Sequence, residues 1–119
     1  MTKENKEFIT HLTAYIDEHI ADQDLSIEGM AEAFRLSLRS LYRRFKELEL
    51  GSPKDYIKTY RIQMAAKLLR TTSLTVQEVM YHTGFANRSH FYKEFAKNFS
   101  MTPKDYRTAE KQRDNTLPG

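Results

Sequence analysis

An internal duplication constrains this chain more than any other feature of its sequence. Residues 25–28 (LSIE) recur 49 positions later as LTVQ, and residues 41–45 (LYRRF) recur 50 positions later as FYKEF. Residues 53–56 (PKDY) recur identically at 103–106, again 50 positions later. The blocks keep their order, and a turn between the first two can absorb the one-residue shift. The sequence therefore predicts two copies of one structural unit.

Each copy is predicted to contain a short helix, a tight turn and a longer helix. Helical spacing of apolar residues dominates the chain, whereas strand signals are weak. Hydroxyl and amide side chains mark the four helix starts at Ser26, Ser37, Thr75 and Asn87. Gly84 can take the positive φ that the turn of the second copy needs. These signals predict an all-α fold.

Further helix starts precede and follow the two copies. A first helix is expected over about residues 4–21, and Ser52-Pro53 opens a long helix to about Arg70. Thr102-Pro103 opens a short closing helix. We predict about seven helices in one domain over residues 1–107: a first unit at about 8–50, a linker helix at about 53–70 that should bury Ile57, Ala65 and Leu68, and a second unit at about 74–107. The polar residues 108–119 are expected to form a flexible tail.

The longer helix of the first copy carries a basic stripe opposite an apolar one. Leu41, Phe45 and Leu48 follow the i, i+4, i+7 spacing of a buried face. The same spacing, begun two residues earlier, gives Arg39, Arg43 and Lys46, with Tyr42 beside them. Two residues correspond to about 200° around a helix, so the cations should face away from the core.

The longer helix of the second copy shows the same division. Phe91, Phe95 and Phe99 are expected to face inward, while Arg88, Ser89, Tyr92 and Lys93 face outward, with His90 at the margin. Half-buried packing is the alternative for Tyr42 and Tyr92. Arg44, Lys58, Lys67 and Lys97 are expected to be solvated or to face phosphates.

This arrangement predicts double-stranded DNA as the partner. Residues 1–34 contain eight acidic and two basic residues, whereas residues 35–107 contain fifteen basic and six acidic ones. The second helix of a helix-turn-helix places its N-terminal residues against base edges, and arginine reads guanine there. The candidate DNA-binding residues from this pattern are Arg39, Tyr42, Arg43, Lys46, Arg88, Ser89, His90, Tyr92 and Lys93.

These residues resemble a known family. Gly84-Phe85, Ser89, Phe91, Phe95, Phe99, Thr102-Pro103 and Tyr106-Arg107 are similar to the signature of the AraC/XylS-type DNA-binding domain, and residues 52–69 resemble its linker helix. The resemblance implies two helix-turn-helix subdomains joined by a long linker helix that sets the spacing of two recognition helices. It implies base reading by Arg39, Tyr42 and Arg43, and by Arg88, Ser89, His90, Tyr92 and Lys93. It also implies phosphate contacts at Ser37, at Asn87 and after Ser52.

Four positions depart from the family pattern. Arg35 stands where the first turn usually has glycine, so that turn either differs or holds a strained residue. After the first recognition helix the glycine is shifted, with Leu50 in its place and Gly51 following. Ser100 replaces another glycine. Met80 occupies a position that the family usually fills with a small residue against the recognition helix.

The predicted function is sequence-specific binding of duplex DNA to regulate transcription. The family usually attaches a sensor or signalling domain, so we expect a C-terminal output module of a larger regulator or hybrid sensor-kinase system. The alternative is a small stand-alone activator. RNA polymerase is a further candidate partner.

Other function classes are disfavoured by the composition. The chain has no cysteine, which excludes disulfides, thiolate metal sites and cysteine-based DNA-repair methyl transfer. No catalytic constellation is recognisable, and His82 and His90 lack an acidic partner for a metal, so we expect neither an enzyme nor a cofactor. A helical RNA- or protein-binding module remains an alternative, although RNA readers usually present aromatic platforms on sheets. Without a signal peptide or a membrane-spanning run, we expect a cytoplasmic location and no membrane contact.

Overall fold

The computed structural model describes the backbone of residues 1–116 and the side chains of residues 1–113. Within this range the chain forms seven α-helices and no strand. The helices are α1 (Lys3–Glu18), α2 (Ile27–Ala33), α3 (Leu38–Glu47), α4 (Pro53–Thr71), α5 (Val76–His82), α6 (Arg88–Phe99) and α7 (Pro103–Thr116). The all-α prediction is confirmed.

Side-chain caps start the helices where the sequence predicted them. The hydroxyl of Ser26 accepts a hydrogen bond from the backbone N–H of Gly29 at 2.9 Å, and that of Ser37 accepts one from Ser40 at 3.1 Å. Thr75 forms a reciprocal capping box with Glu78 at the start of α5. Equivalent acceptors open the remaining helices at Thr2, Ser52, Asn87 and Thr102. Each cap satisfies a backbone donor that has no partner within its helix.

Three helices end in the same left-handed turn, but only one of them uses glycine. After α2, Arg35 has a φ of 56°, and the N–H of Leu36 reaches back to the carbonyl of Ala31 at 2.9 Å. After α3, Glu49 has a φ of 57° in the same arrangement, and after α5 Gly84 has a φ of 82°. This is the Schellman motif, which glycine normally completes because it has no Cβ. The turn at Arg35 is therefore conserved in shape between the copies and holds a strained residue.

The backbone angles at Gly51 and Ser100 also show how the chain accommodates its departures from the family pattern. Gly51 has a φ of 76°, and Ser100 has a φ of 59° as the C-cap of α6. The left-handed position directly after α3 thus falls on Glu49, one residue before Leu50. Ser100 adopts the conformation of the glycine it replaces, at a steric cost that an L-residue bears.

The chain divides into two compact units, Met1–Tyr60 and Arg61–Gly119, with the boundary inside α4. The core of the first unit consists of Leu12, Ile16, Met30, Ala31, Leu41, Phe45 and Ile57. The core of the second consists of Ile62, Ala65, Ala66, Leu69, Val79, Phe85, Phe91, Phe95 and Tyr106. Each core takes residues from one copy of the duplication and from one part of α4, and the first core also includes Leu12 and Ile16 of α1.

Three details differ from the sequence prediction. The first helix ends at Glu18, before the expected residue 21. The closing helix is not short but continues to Thr116, so residues 108–116 of the predicted flexible tail are helical. Within α4, Ile57 and Ala65 are buried as predicted, but Leu69 is the fully buried leucine while Leu68 is half-buried. Residues 117–119, the end of the predicted tail, lie outside the described residues.

Two contacts hold α7 on the second unit. Nη1 of Arg70 donates to the hydroxyl of Tyr106 at 2.7 Å, and the guanidinium of Arg107 donates to the carbonyl oxygens of Leu69 and Thr72 at 3.1 and 3.3 Å. The two bonds from Arg107 satisfy carbonyl groups in the last turn of α4 and directly after it that have no partner within the helix. In the described part of the chain, no helix is both long and apolar enough to cross a membrane.

Candidate nucleic-acid interface

The exposed face of α3 carries the basic stripe of the first unit. Leu41 and Phe45 are fully buried, and Arg39 and Lys46 are exposed on the other side of the helix. The side chain of Arg43 is 66% exposed, with Glu47 at 3.8 Å as a loose ion pair. Tyr42 is 48% exposed. Burial on one side of α3 therefore presents these cations together to solvent.

Arg44 does not follow the prediction of a solvated or phosphate-facing cation. Its side chain is only 28% exposed, and its guanidinium lies 4.7 Å from the centre of the Phe8 ring. Nη1 donates to Oδ1 of Asn5 at 3.1 Å. The side chain of Arg44 thus connects α3 to α1. The charge pattern of the sequence did not indicate this structural role.

The C-terminal end of α1 contacts α4 within the same unit, through Asp17 and Tyr60. Burial, and secondly a hydrogen bond to the Asp17 carboxylate and its charge, raise the pKa of Tyr60 to about 12. The phenol therefore stays protonated and donates to Asp17 at neutral pH. Together with Arg44, this contact fixes the helix against which α3 packs.

The exposed face of α6 carries the corresponding residues of the second unit. Phe91 and Phe95 are fully buried and Phe99 is half-buried, as the inward stripe predicted. The exposed residues are Arg88, Ser89, His90 and Lys93, whereas Tyr92 is half-buried. The structure thus exposes the polar residues that the sequence assigned to this face and partly buries the tyrosine.

Two side-chain pairs order this face. The guanidinium of Arg88 lies 5.1 Å from the centre of the Tyr92 ring, and its Nη2 is 3.4 Å from the Tyr92 hydroxyl. Nε2 of His90 is 3.9 Å from Oε1 of Glu94, whose side chain is buried. Both pairs are separated by four residues, one turn of α6. Arg88 thus lies against the ring of Tyr92, and His90 lies near a buried carboxylate.

A small cavity opens beside α6 in the second unit. It is lined by Val76, Gln77 and Met80 of α5 and by Arg88 and Tyr92 of α6, and its volume is about 210 Å³. Met80 is half-buried and packs against the core of this unit. The sequence marked Met80 as a departure from the family pattern but did not predict the cavity.

Ser37 and Asn87 have defined structural roles. Both side chains are N-cap acceptors, and the Ser37 hydroxyl also donates to Oγ of Ser40 at 3.0 Å. Their phosphate contacts stay predictions.

Leu38 is an exposed residue that sequence reasoning missed. It is the first residue of α3 and is 41% exposed, one helical turn before Tyr42. The 50-residue offset would have identified it, because it corresponds to Arg88 at the start of α6. An apolar side chain on this face is available for contact with an apolar part of a ligand.

The described residues include no group of three or more histidine, aspartate or glutamate side chains that could hold a metal ion. The outer faces of α3 and α6 have the character of a contact surface, with exposed cations on both helices, an exposed tyrosine on α3 and an exposed serine and histidine on α6. Such a surface can bind a polyanion by charge and distinguish bases by directed hydrogen bonds.

Comparison with known proteins supports the identification of α3 and α6 as DNA-contacting helices. The model of a family described as "Helix-turn-helix domain" matches residues 30–109. The HTH-type transcriptional activator RhaS of Escherichia coli O157:H7 is 34% identical over 96 residues, which cover 81% of this chain and 34% of RhaS. RhaS of Salmonella schwarzengrund is 35% identical over 103 residues, covering 87% of this chain and 37% of the relative. The chain thus spans about a third of the length of the curated relatives it matches.

Solved structures show the same fold. The DNA-binding domain of AdpA, solved in complex with a target DNA, superposes with a TM-score of 0.81 at 27% identity, covering 91% of this chain and 96% of that one. The C-terminal domain of the two-component response regulator yesN from Fusobacterium nucleatum superposes with a TM-score of 0.74 at 30% identity, covering 88% and 99%.

Proposed function

The chain belongs to the AraC/XylS-type helix-turn-helix family of transcription regulators, and from this premise we propose that it binds duplex DNA sequence-specifically and thereby regulates transcription. The observation that carries the proposal is the exposed face of α3, where Arg39, Arg43 and Lys46 stand opposite fully buried Leu41 and Phe45. The core fixes the orientation of the helix, so the three cations face one ligand together.

Base reading is assigned to the N-terminal part of each recognition helix. In α3 these residues are Arg39, Tyr42 and Arg43, and in α6 they are Arg88, Ser89, His90, Tyr92 and Lys93. All but Tyr92 are exposed, and arginine and lysine can form bonds to O6 and N7 of guanine. Lys46, Ser37, Asn87 and the N-terminus of α4 are assigned to the phosphate backbone. Helix N-termini favour anions because their backbone N–H groups point outward.

The domain is proposed to act as the C-terminal output module of a larger regulator, with a first unit at about 8–50, a linker helix at about 53–70 and a second unit at about 74–107. Two findings favour this reading over a stand-alone activator. The matched relatives are about three times as long as the aligned segment, and the solved neighbour from Fusobacterium nucleatum is the C-terminal domain of a two-component response regulator. A covalently attached sensor or signalling domain would supply the input.

The proposed role is DNA binding and not catalysis, and the names of the relatives, which are transcriptional activators, support it. RNA polymerase is a candidate second partner for a domain that activates. Because bacterial DNA lies in the cytoplasm, this function would place the domain there.

The proposal is tested by selecting bound sites from a random duplex library and measuring affinity across a salt range. We expect an enriched motif, and an affinity for duplex DNA that falls steeply as salt rises, with a log–log slope of about −0.9 per phosphate contacted. Single-stranded RNA of equal charge serves as the competitor. Absence of an enriched motif, or tighter binding to the RNA, would overturn the proposal.

A matched pair of arginine variants tests the face of α3. Arg43 and Arg113 are 66% and 73% exposed, and each has a glutamate on its own helix at 3.8 and 3.6 Å. Arg113 belongs to α7 and to neither recognition helix. Arg43→Ala should weaken the selected duplex by about 5- to 150-fold and relax preference at one or two base pairs. Arg113→Ala should leave both properties unchanged. Equal losses for the two variants would refute base reading by Arg43.

A further inference from the structure

The cavity beside α6 combines an apolar floor with a polar rim. Val76 and Met80 lie one turn apart on α5 and are both half-buried, so they present side chains from the same face. Gln77 and Arg88 are exposed at its edge. The volume of about 210 Å³ lies below the roughly 300–1,000 Å³ of small-molecule pockets. The cavity therefore suits a small apolar group attached to something larger.

The far wall of the cavity is held in place before binding. Arg88 stacks over Tyr92 at 5.1 Å and contacts its hydroxyl at 3.4 Å, and Tyr92 packs against the core of the second unit. A restrained wall loses less conformational entropy when a ligand arrives. The same two side chains belong to the proposed base-reading face of α6, so the cavity is continuous with that face.

We propose that this cavity receives the C5-methyl group of a thymine in the major groove, which makes Val76 and Met80 specificity-determining residues contributed by α5. The inference rests on the proposed DNA-binding function. Thymine alone among the four bases presents a methyl group in the major groove, beside an O4 acceptor. The apolar floor contacts the methyl group, and the amide of Gln77 at the rim donates to O4. Arg88 remains available to the neighbouring base pair.

The first unit lacks the methionine side chain that forms this floor. The 49-residue offset that relates Ser26 to Thr75 places Ala31 at the position of Met80, and Ala31 is buried in the core. The same offset places Ile27 at the position of Val76. A thymine contact built on Met80 is therefore a property of the second recognition unit.

The test replaces thymine by uracil, which removes only the methyl group. Starting from the duplex selected by the wild-type protein, each thymine is replaced singly and the dissociation constant is measured. For wild-type protein, one replacement in the half-site of the second unit should weaken binding about fourfold, the value expected for one buried methyl group. For Met80→Ala the thymine and uracil duplexes should bind equally. Met101→Ala is the matched control, because Met101 packs against the same core but lies outside the cavity, and it should keep the fourfold ratio.

The outcomes separate this inference from the function on which it rests. A selected duplex whose thymines are all replaceable without loss, or a loss that Met80→Ala leaves unchanged, would overturn the methyl-binding role while DNA recognition stands. Equal loss of the ratio in Met101→Ala would assign the effect to core packing and likewise overturn it. Failure to select any duplex would instead overturn the proposed function.

Discussion

Replacing Arg44 by alanine should destabilise the first unit while leaving base preference intact. The guanidinium stacks on Phe8 at 4.7 Å and donates to Asn5 at 3.1 Å, and the side chain is 28% exposed. A cation–π contact at a partly exposed site contributes about 0.5–1 kcal/mol. A hydrogen bond from a charged donor contributes about 1.5 kcal/mol at the lower end of its range. The pair with Glu47 at 3.8 Å adds little.

The expected loss is therefore about 2 kcal/mol, or about 8 °C in Tm for a domain of this size. Urea denaturation followed by circular dichroism gives the free energy of unfolding, and hydrogen exchange locates the loss. Amides of α1 should exchange faster, since Arg44 joins that helix to α3. Arg44→Lys keeps the positive charge but loses the planar guanidinium that stacks on Phe8 and donates to Asn5. It should therefore recover less than half of the free energy of unfolding that Arg44→Ala loses.

Arg43→Ala provides the opposite pattern at the adjacent position. Removing the exposed side chain of Arg43 should lower the free energy of unfolding by less than about 0.5 kcal/mol. The same substitution should nevertheless weaken specific DNA binding. If Arg44→Ala changed neither the free energy of unfolding nor the amide hydrogen exchange of α1, the stabilising contact of Arg44 between α1 and α3 would be refuted. Full rescue by Arg44→Lys would show that charge, and not stacking, accounts for it.

Three further outcomes are expected. Arg35→Gly should raise the stability by up to about 1 kcal/mol, because it removes a left-handed conformation from a non-glycine residue; a lower Tm would contradict the strain. Hydrogen bonds from the backbone and then the side chain of Thr75 lower the pKa of Glu78, so their stabilisation is fully present above the ordinary pKa of a glutamate and is lost as pH falls through the folded pKa. Glu78→Gln should flatten that acid-side loss in urea midpoints, and an unchanged pH profile would contradict it. Sedimentation should show a monomer in the absence of DNA, because one chain holds both recognition helices, whereas an obligate free dimer would contradict it.

Local sequence signals predicted the fold well because they act over a few residues. The caps at Ser37, Thr75 and Asn87 each bond a backbone N–H three residues later, and the opposed stripes of α3 follow from helical spacing alone. The offsets of 49 and 50 residues relate each position of one copy to its counterpart in the other. All of these depend on chemistry within one helix or its first turn, which a sequence displays directly.

The details that the sequence could not supply depend on contacts between distant segments. Arg44 was read as a surface cation because Asn5, its partner, lies 39 residues away on another helix. The cavity at Met80 depends on how α5 packs on α6. Residue type alone disfavours a positive φ at Arg35, whereas the hydrogen bond from Leu36 to Ala31 and the buried core of the unit stabilise it. Tertiary packing decided each of these.

The duplication has kept the backbone of its two copies more closely than the chemistry of their exposed faces. The first residue of α3 is Leu38, whereas the first residue of α6 is Arg88, and these N-terminal positions are the ones that approach base edges in a helix-turn-helix. An apolar side chain favours a thymine methyl group, and an arginine favours guanine. The two units should therefore prefer different half-sites, and the selected duplex should be neither palindromic nor an exact direct repeat. Exchanging the pair, as Leu38→Arg with Arg88→Leu, should move the guanine preference from the second half-site to the first. A selected site with two identical halves, or one that the exchange leaves unchanged, would show that these positions do not determine sequence preference.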